Sequence, residues 1–255
     1  TSACSVYINA CMNLVSILAR EKKFAKGFEL LRAALCAARC SASLPSVVMI
    51  LLSMCQVAEL QENMDLAEEL LTEAETSLSA IASDKRHGLL TLHFLVLRVY
   101  AHSRRGEYAA SLKYVPALSE HIKQFDATTI RKMDYCWFAP STIFATVQYL
   151  CIDVYRAVGQ LDSSQAVNQE AIAVINDKLK ESLGPVEGLN AFHVPIDSQN
   201  TVQAFAELKF LFLENDILVH LAKGEYARVI KSISDAILLY VSFVKQLPTT
   251  NLCAL

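Results

Sequence analysis

The chain holds six histidines, eight cysteines and one tight group of glutamates, and their spacing sets what chemistry they could do. His87, His93, His102, His121, His193 and His220 never fall three or four residues from one another or from a cysteine. A zinc site needs ligands at such helical or loop spacings, so none is expected. Cys36 and Cys40 are four residues apart on one helix face and would make half a metal site. The simpler expectation is that both line the interface to the next helix as small apolar residues. Glu68, Glu69, Glu73 and Glu75 place Glu69 and Glu73 on one face, as paired carboxylates for acid–base work would be placed. On an amphipathic helix such a group is ordinarily a solvated face.

No phosphate-cradling glycine loop, metalloprotease His pair or nucleophile elbow occurs anywhere in the chain. An enzyme built on the connecting segments would rely on His193, in the stretch Phe192-His193-Val194-Pro195, without an accompanying nucleophile or base. The expectation is a protein with no enzymatic activity and no metal or cofactor. One aromatic group stands apart. Tyr135, Trp137 and Phe138 precede Pro140, and such a cluster is either an exposed anchor for a partner or a strut that tucks a connection inward.

The elements that must position these residues read as helices throughout. The chain has 255 residues, 53% hydrophobic and only 19% charged, with seven Gly and six Pro that fall at element boundaries. No segment alternates with a period of two, as a half-buried strand would. Helices are expected over 3–20, 24–41, 45–61, 64–82, 87–104, 107–124, 140–158, 161–181, 201–222 and 225–246, which makes five antiparallel pairs. Net charge is −3 without a long charged run, so binding to nucleic acid by phosphate neutralisation is not expected. Cys4, Cys11, Cys36, Cys40, Cys55, Cys136, Cys151 and Cys253 form no CxxC pair, which fits free thiols in a reducing intracellular compartment. Residues 40–58 and 135–152 lack charge, but each contains Pro and several polar residues and falls where the pairing needs a buried helix rather than a membrane span. The opening without Met, inside a helical run, suggests a piece of a longer array.

The pairs are related. Each second helix opens on an aromatic or large apolar marker with small residues usually three and ten positions later: Phe24, Gly27, Ala34; Met64, Ala67, Ala74; Tyr108, Ser111, Leu118; Leu161, Ser164, Ala171; Tyr226, Val229, Ala236. A glycine two residues ahead of three markers suits a left-handed helix cap. Small residues at those offsets share one face and let two helices approach closely. This is the tetratricopeptide pattern, with the marker expected to wedge between the helices of its pair. Insertions are expected at 124–140 and 181–201, the second as a long loop. Since one pair cannot bury its own faces, the chain is expected to be a single domain over 1–255, an all-α right-handed superhelix.

The order of features resembles a known family, the helical-repeat subunit of the cohesin loader (Mau-two, also called Scc-four). The resemblance lies in HFLVLRVYAHSRRGEYAASLKYVPAL within 87–124 and the Trp-Phe-Ala-Pro step at 137–140. It continues through TIFATVQYLCIDVYRAVGQLDSSQAVNQEAI at 142–172 and QAFAELKFLFLENDILVHLAKGEYARVIKSI at 203–233. The family's step is Trp-Leu-Pro, and Ala139 adds a residue here. The resemblance implies a non-enzymatic scaffold that wraps the extended N-terminal segment of the large adherin subunit (Scc-two, Nipped-B type). It also implies nuclear localisation and a role in cohesin loading on chromatin and in sister chromatid cohesion. From the residues themselves, the groove positions to test are Arg98, His102, Tyr149 and Tyr155, with Tyr135, Trp137 and Phe138 on the first insertion. An adaptor of another complex, such as the anaphase-promoting complex or the proteasome lid, is the alternative.

Overall fold

The computed structural model describes residues 3–82, 84, 86–124, 143–183 and 196–246. Every regular element among them is a helix: α1 Ala3–Arg20, α2 Phe24–Cys40, α3 Leu44–Leu60, α4 Met64–Ser79, α5 His87–Arg104, α6 Tyr108–Leu112 and α7 Val115–Lys123, then α8 Ile143–Ala157, α9 Leu161–Leu183, α10 Ile196–Ala222 and α11 Tyr226–Gln246. Two compact units divide the chain, at Trp137 and Phe138.

In the first unit α1 packs on α2, α2 on α3, α3 on α4 and α4 on α5, with α6 and α7 returning along α5. The helix α3 touches α1, α2, α4 and α5, which is why it is buried almost all round from Val47 to Glu59. That accounts for the uncharged stretch 40–58, and no described helix is long and apolar enough to cross a membrane. In the second unit α8, α9, α10 and α11 pack each on the next, and α8 also meets α10. Its core gathers Ala145, Ile152, Ala171, Ile175, Val202, Phe205 and Phe212.

One turn closes every described hairpin. The residue two positions before each marker is left-handed: Lys22 (φ 57°), Glu62 (φ 59°), Gly106 (φ 74°), Gly159 (φ 78°) and Gly224 (φ 73°). The next residue's N–H then donates to the carbonyl five residues back: Lys23 to Leu18, Asn63 to Ala58, Glu107 to His102, Gln160 to Tyr155 and Glu225 to His220, at 2.8–2.9 Å. This six-to-one bond satisfies a carbonyl that the helix end would otherwise orphan. The same turn joins α2 to α3, at Ala42 (φ 52°) with the Ser43 N–H donating to the Ala38 carbonyl at 3.1 Å, so three of the six left-handed residues are not glycine and glycine alone does not dictate the turn.

The small residues do what the pattern asks. A Cβ built on Gly27 would meet Val15 at 3.8 Å. The equivalent Ser111 and Ser164 are fully buried and donate their hydroxyls to Val99 O and Ile152 O, each twelve residues back on the first helix. Seven positions after the marker, Leu31, Leu71, Val115 and Asn168 are fully buried. Asn168 is the polar exception, and neither end of its amide has a hydrogen-bond partner.

Four expectations need correction. The sixth helix breaks at Lys113 and Tyr114 because Pro116, near the start of α7, has no N–H to continue the ladder. The 181–201 segment is not wholly loop, since α9 runs to Leu183 and α10 begins at Ile196. Cys36 and Cys40 are exposed rather than lining a helix interface, because the face of α2 that turns inward carries Phe28, Leu31, Ala34, Leu35 and Ala38. The marker is no uniform wedge either. Phe24, Met64, Tyr108 and Leu161 are half-buried, but Tyr226 is 68% exposed.

Candidate partner-binding surface

The described part of the first unit carries one concentrated polar feature, at the junction of α4 and α5. The Arg98 side chain is buried and its guanidinium donates to Glu68 and, at 3.0 Å, to Glu75 Oε2. It also lies 5.6 Å from the centroid of Phe94. Burial works against the Arg98 charge, and the bonds to Glu68 and Glu75 more than restore it, so its pKa stands above the ordinary arginine value. Arg105 adds a contact to Glu68 at 3.4 Å and donates to the Met64 carbonyl. Glu73, on the other flank of α4, pairs with Arg39 of α2. Glu69, Glu73 and Glu75 are exposed, as a solvated face would be, while Glu68, Glu73 and Glu75 also tie α4 to arginines of α2 and α5.

This cluster replaces an apolar contact. Counted from the markers, Glu68 and Glu75 stand where Phe28 and Leu35 stand in α2, and Arg98 stands where Met54 stands in α3. At the same offsets from the markers the first junction carries hydrocarbon and the second three charges. Arg98, expected in a groove, is spent on this strut.

His102 sits at the end of α5. Its Nδ1 lies 2.8 Å from Glu107 Oε2, and its ring stacks on Tyr114 at 5.8 Å between centroids. Tyr149 meets Phe212 edge-on at 5.9 Å and packs against the second unit's core. Burial raises the pKa of Tyr149, as it does that of Tyr155, so both phenols stay protonated donors. Tyr149 and Tyr155 are half-buried. Tyr135, Trp137, Phe138, the Trp–Pro step and His193 lie outside the described residues, as do Cys136 and Cys253.

The thiols of Cys55 and Cys151 are poor nucleophiles. Burial pushes the Cys151 thiol up to about 12 and drives that of Cys55 higher still. No group of three or more His, Cys, Asp or Glu among the described residues could hold a metal ion.

The sequence reading missed a second surface. One face of α11 exposes Tyr226, Ile230, Ile233, Ile237, Tyr240 and Val241. Its signal was present as apolar residues spaced four and three apart, but that same spacing marks the buried face of α2.

No family model and no curated protein matches the sequence. A solved structure described as BtubC (BKLC) from P. vanneervenii is similar in fold, with a TM-score of 0.65 over 96% of this chain and 85% of that one. The two sequences are 13% identical, so the likeness extends to the fold alone.

Proposed function

We propose that this chain is a non-enzymatic protein-binding scaffold whose helix pairs stack as a right-handed superhelix of tetratricopeptide type. Its partner in this reading is an extended segment of the large adherin subunit of the cohesin loader. The setting is nuclear and chromatin-associated, in support of cohesin loading and sister chromatid cohesion. The observation that carries the scaffold reading is the recurrence of one capped helix–helix turn six times among the described residues, with α8 offering the half-buried Tyr149 and Tyr155. Stacked helical pairs present side chains of successive first helices in rows that suit an extended peptide. The resemblance of 87–124, 137–140, 142–172 and 203–233 to the loader subunit supplies the partner.

Ordering a flexible segment costs several kcal/mol, roughly 2–5, so the interface must be extensive. The test is reconstitution of this chain with the N-terminal segment of the large adherin subunit, followed by size-exclusion chromatography and calorimetry. Co-elution at fixed stoichiometry is expected, with Trp137→Ala weakening the complex about tenfold or more as loss of an aromatic anchor does. No complex at micromolar concentrations, or a preference for proteasome-lid or anaphase-promoting-complex subunits, would remove this partner.

A further inference from the structure

The interior of the second unit gathers four polar side chains from three helices. Gln148 of α8 is 3% exposed, Ser164 and Asn168 of α9 are fully buried, and Asn215 of α10 is 3% exposed. Hydrogen bonds fix part of the arrangement. The Ser164 hydroxyl donates to the Ile152 carbonyl, and Asn215 Nδ2 donates to Ser164 Oγ, both at 3.3 Å. Ser164 thereby links α8, α9 and α10. Asn168 lies one turn further along α9 on the face that Ser164 occupies, where Cβ atoms stand roughly 5–6 Å apart. Because α8 and α9 form an antiparallel pair, the step from Ile152 back to Gln148 matches the step from Ser164 on to Asn168. Gln148 thus falls on the level of Asn168.

Three amide atoms of this layer are sealed from solvent and have no protein partner: Asn168 Nδ2, Asn168 Oδ1 and Asn215 Oδ1. An unpaired buried amide is costly, so folded chains satisfy nearly all such atoms with protein or with ordered water. Counted from the markers, Asn168 stands where Leu71 stands in α4, and Asn215 stands where Leu97 stands in α5. Both leucines are buried, and α4 packs on α5 as α9 packs on α10. One junction carries two leucines where the other carries two asparagines. Asparagine branches as leucine does but is smaller, which favours room for a water, whose share of liquid volume is about 30 Å³.

We propose that the second unit holds a long-lived internal water site between Asn168 and Asn215. One water there accepts from Asn168 Nδ2 and donates to Asn215 Oδ1. Its other hydrogen, or a second water, serves Asn168 Oδ1, and the Gln148 amide is a further partner on the same level. An internal water is held by two to four polar groups, and this layer supplies that number. The water then joins α9 to α10 by hydrogen bonds at a level where α4 and α5 meet through hydrocarbon.

Oxygen-17 relaxation dispersion of water, measured on the whole chain, tests this because it reads internal waters that outlast the tumbling of the protein. The wild-type amplitude should exceed that of the double variant Asn168→Leu with Asn215→Leu by at least one water. Equal amplitudes would overturn the proposal. Stability gives an independent sign. Asn168→Leu alone removes one anchor of the water and leaves Asn215 Oδ1 buried without it, so the melting temperature should fall by about 4 °C, and the double variant should recover most of that loss. A rise or no change with Asn168→Leu alone would mean that the asparagine was simply unpaired, and would also overturn the proposal. Should the variants fail to fold, the wild-type chain decides. Nuclear Overhauser contacts from the Asn168 side-chain amide to water, with the sign of a bound molecule, support the site. A crystal structure with Asn168 bonded directly to Asn215 and no water between them refutes it.

Discussion

His102 and Glu107 are joined twice, through the ring Nδ1 and a carboxylate oxygen 2.8 Å apart and through the Glu107 N–H donated to the His102 carbonyl at 2.9 Å. The same double tie recurs between His220 and Glu225, at 2.7 Å and 2.9 Å. In both cases the imidazole staples the last turn of a first helix to the residue that opens the second, across a left-handed glycine. Two hairpins from different units of the chain thus share a side-chain latch as well as a backbone cap.

The two latches should differ in strength. The His220 side chain is buried and also lies 3.5 Å from Asp216, whereas His102 is partly open. His220→Ala is expected to cost about 2 kcal/mol and His102→Ala about 1 kcal/mol, in keeping with buried and partly exposed polar contacts. Urea unfolding of both variants checks this, and a larger loss for His102→Ala would be inconsistent with the burial order.

At the left-handed turns, φ alone should decide the outcome. No atom lies within 4 Å of a Cβ built on Gly106, so Gly106→Ala meets no clash and should cost about 1 kcal/mol from backbone strain. Lys22→Gly and Glu62→Gly relieve that strain but add freedom to the unfolded chain, for a net gain of about 0.5 kcal/mol each. Thermal melts of the three variants should therefore move in opposite directions, down for the alanine and up for the glycines.

The Arg98 strut should be replaceable but not removable. Arg98→Met leaves Glu75 unpaired and Glu68 with Arg105 alone across the α4–α5 junction and should cost about 2 kcal/mol, short of the fully buried case because both carboxylates keep partial access to water. Adding Glu68→Phe and Glu75→Leu rebuilds the hydrocarbon found at Phe28, Leu35 and Met54, and should restore stability to within about 1 kcal/mol of wild type. Chemical denaturation of the single and triple variants gives the answer. A triple variant weaker than the single one would show that the two junctions are not equivalent.

Glu59 should make stability fall as the pH rises from about 4.5 to about 8. Burial raises its carboxyl pKa from 4.5 to about 8, only partly offset by Arg104. Below pH 4.5 both folded and unfolded chains hold the proton. Between there and about pH 8 the unfolded chain releases it while the folded chain keeps it, so stability drops, on the order of 4 kcal/mol at most. Above that range the slope from this group ends. Glu59→Gln should flatten the profile and raise stability at pH 8, measured by urea unfolding at a series of pH values. An unchanged slope would place the carboxyl in water.

Local features of the fold were legible because they are set within a few residues. Helix spans follow from period 3.6, and most came out within three residues of their expected ends. The hairpin caps follow from one left-handed residue and a bond that reaches back five. Pro116 carried its own signal of a break, and reading 107–124 as one helix passed over it.

Burial was the part that tertiary structure decided. Phe28, Leu31 and Leu35 in α2 and Ile230, Ile233 and Ile237 in α11 have the same spacing and the same chemistry, yet one set is covered and the other is open to water. Arg98 looked like a groove residue until Glu68 and Glu75, some twenty to thirty residues earlier in the chain, were brought to it by the packing of α4 on α5. A residue's periodicity depends on its own helix, so the sequence determines it. Its exposure depends on whether another helix lies over it, and that is a property of distant segments meeting in space.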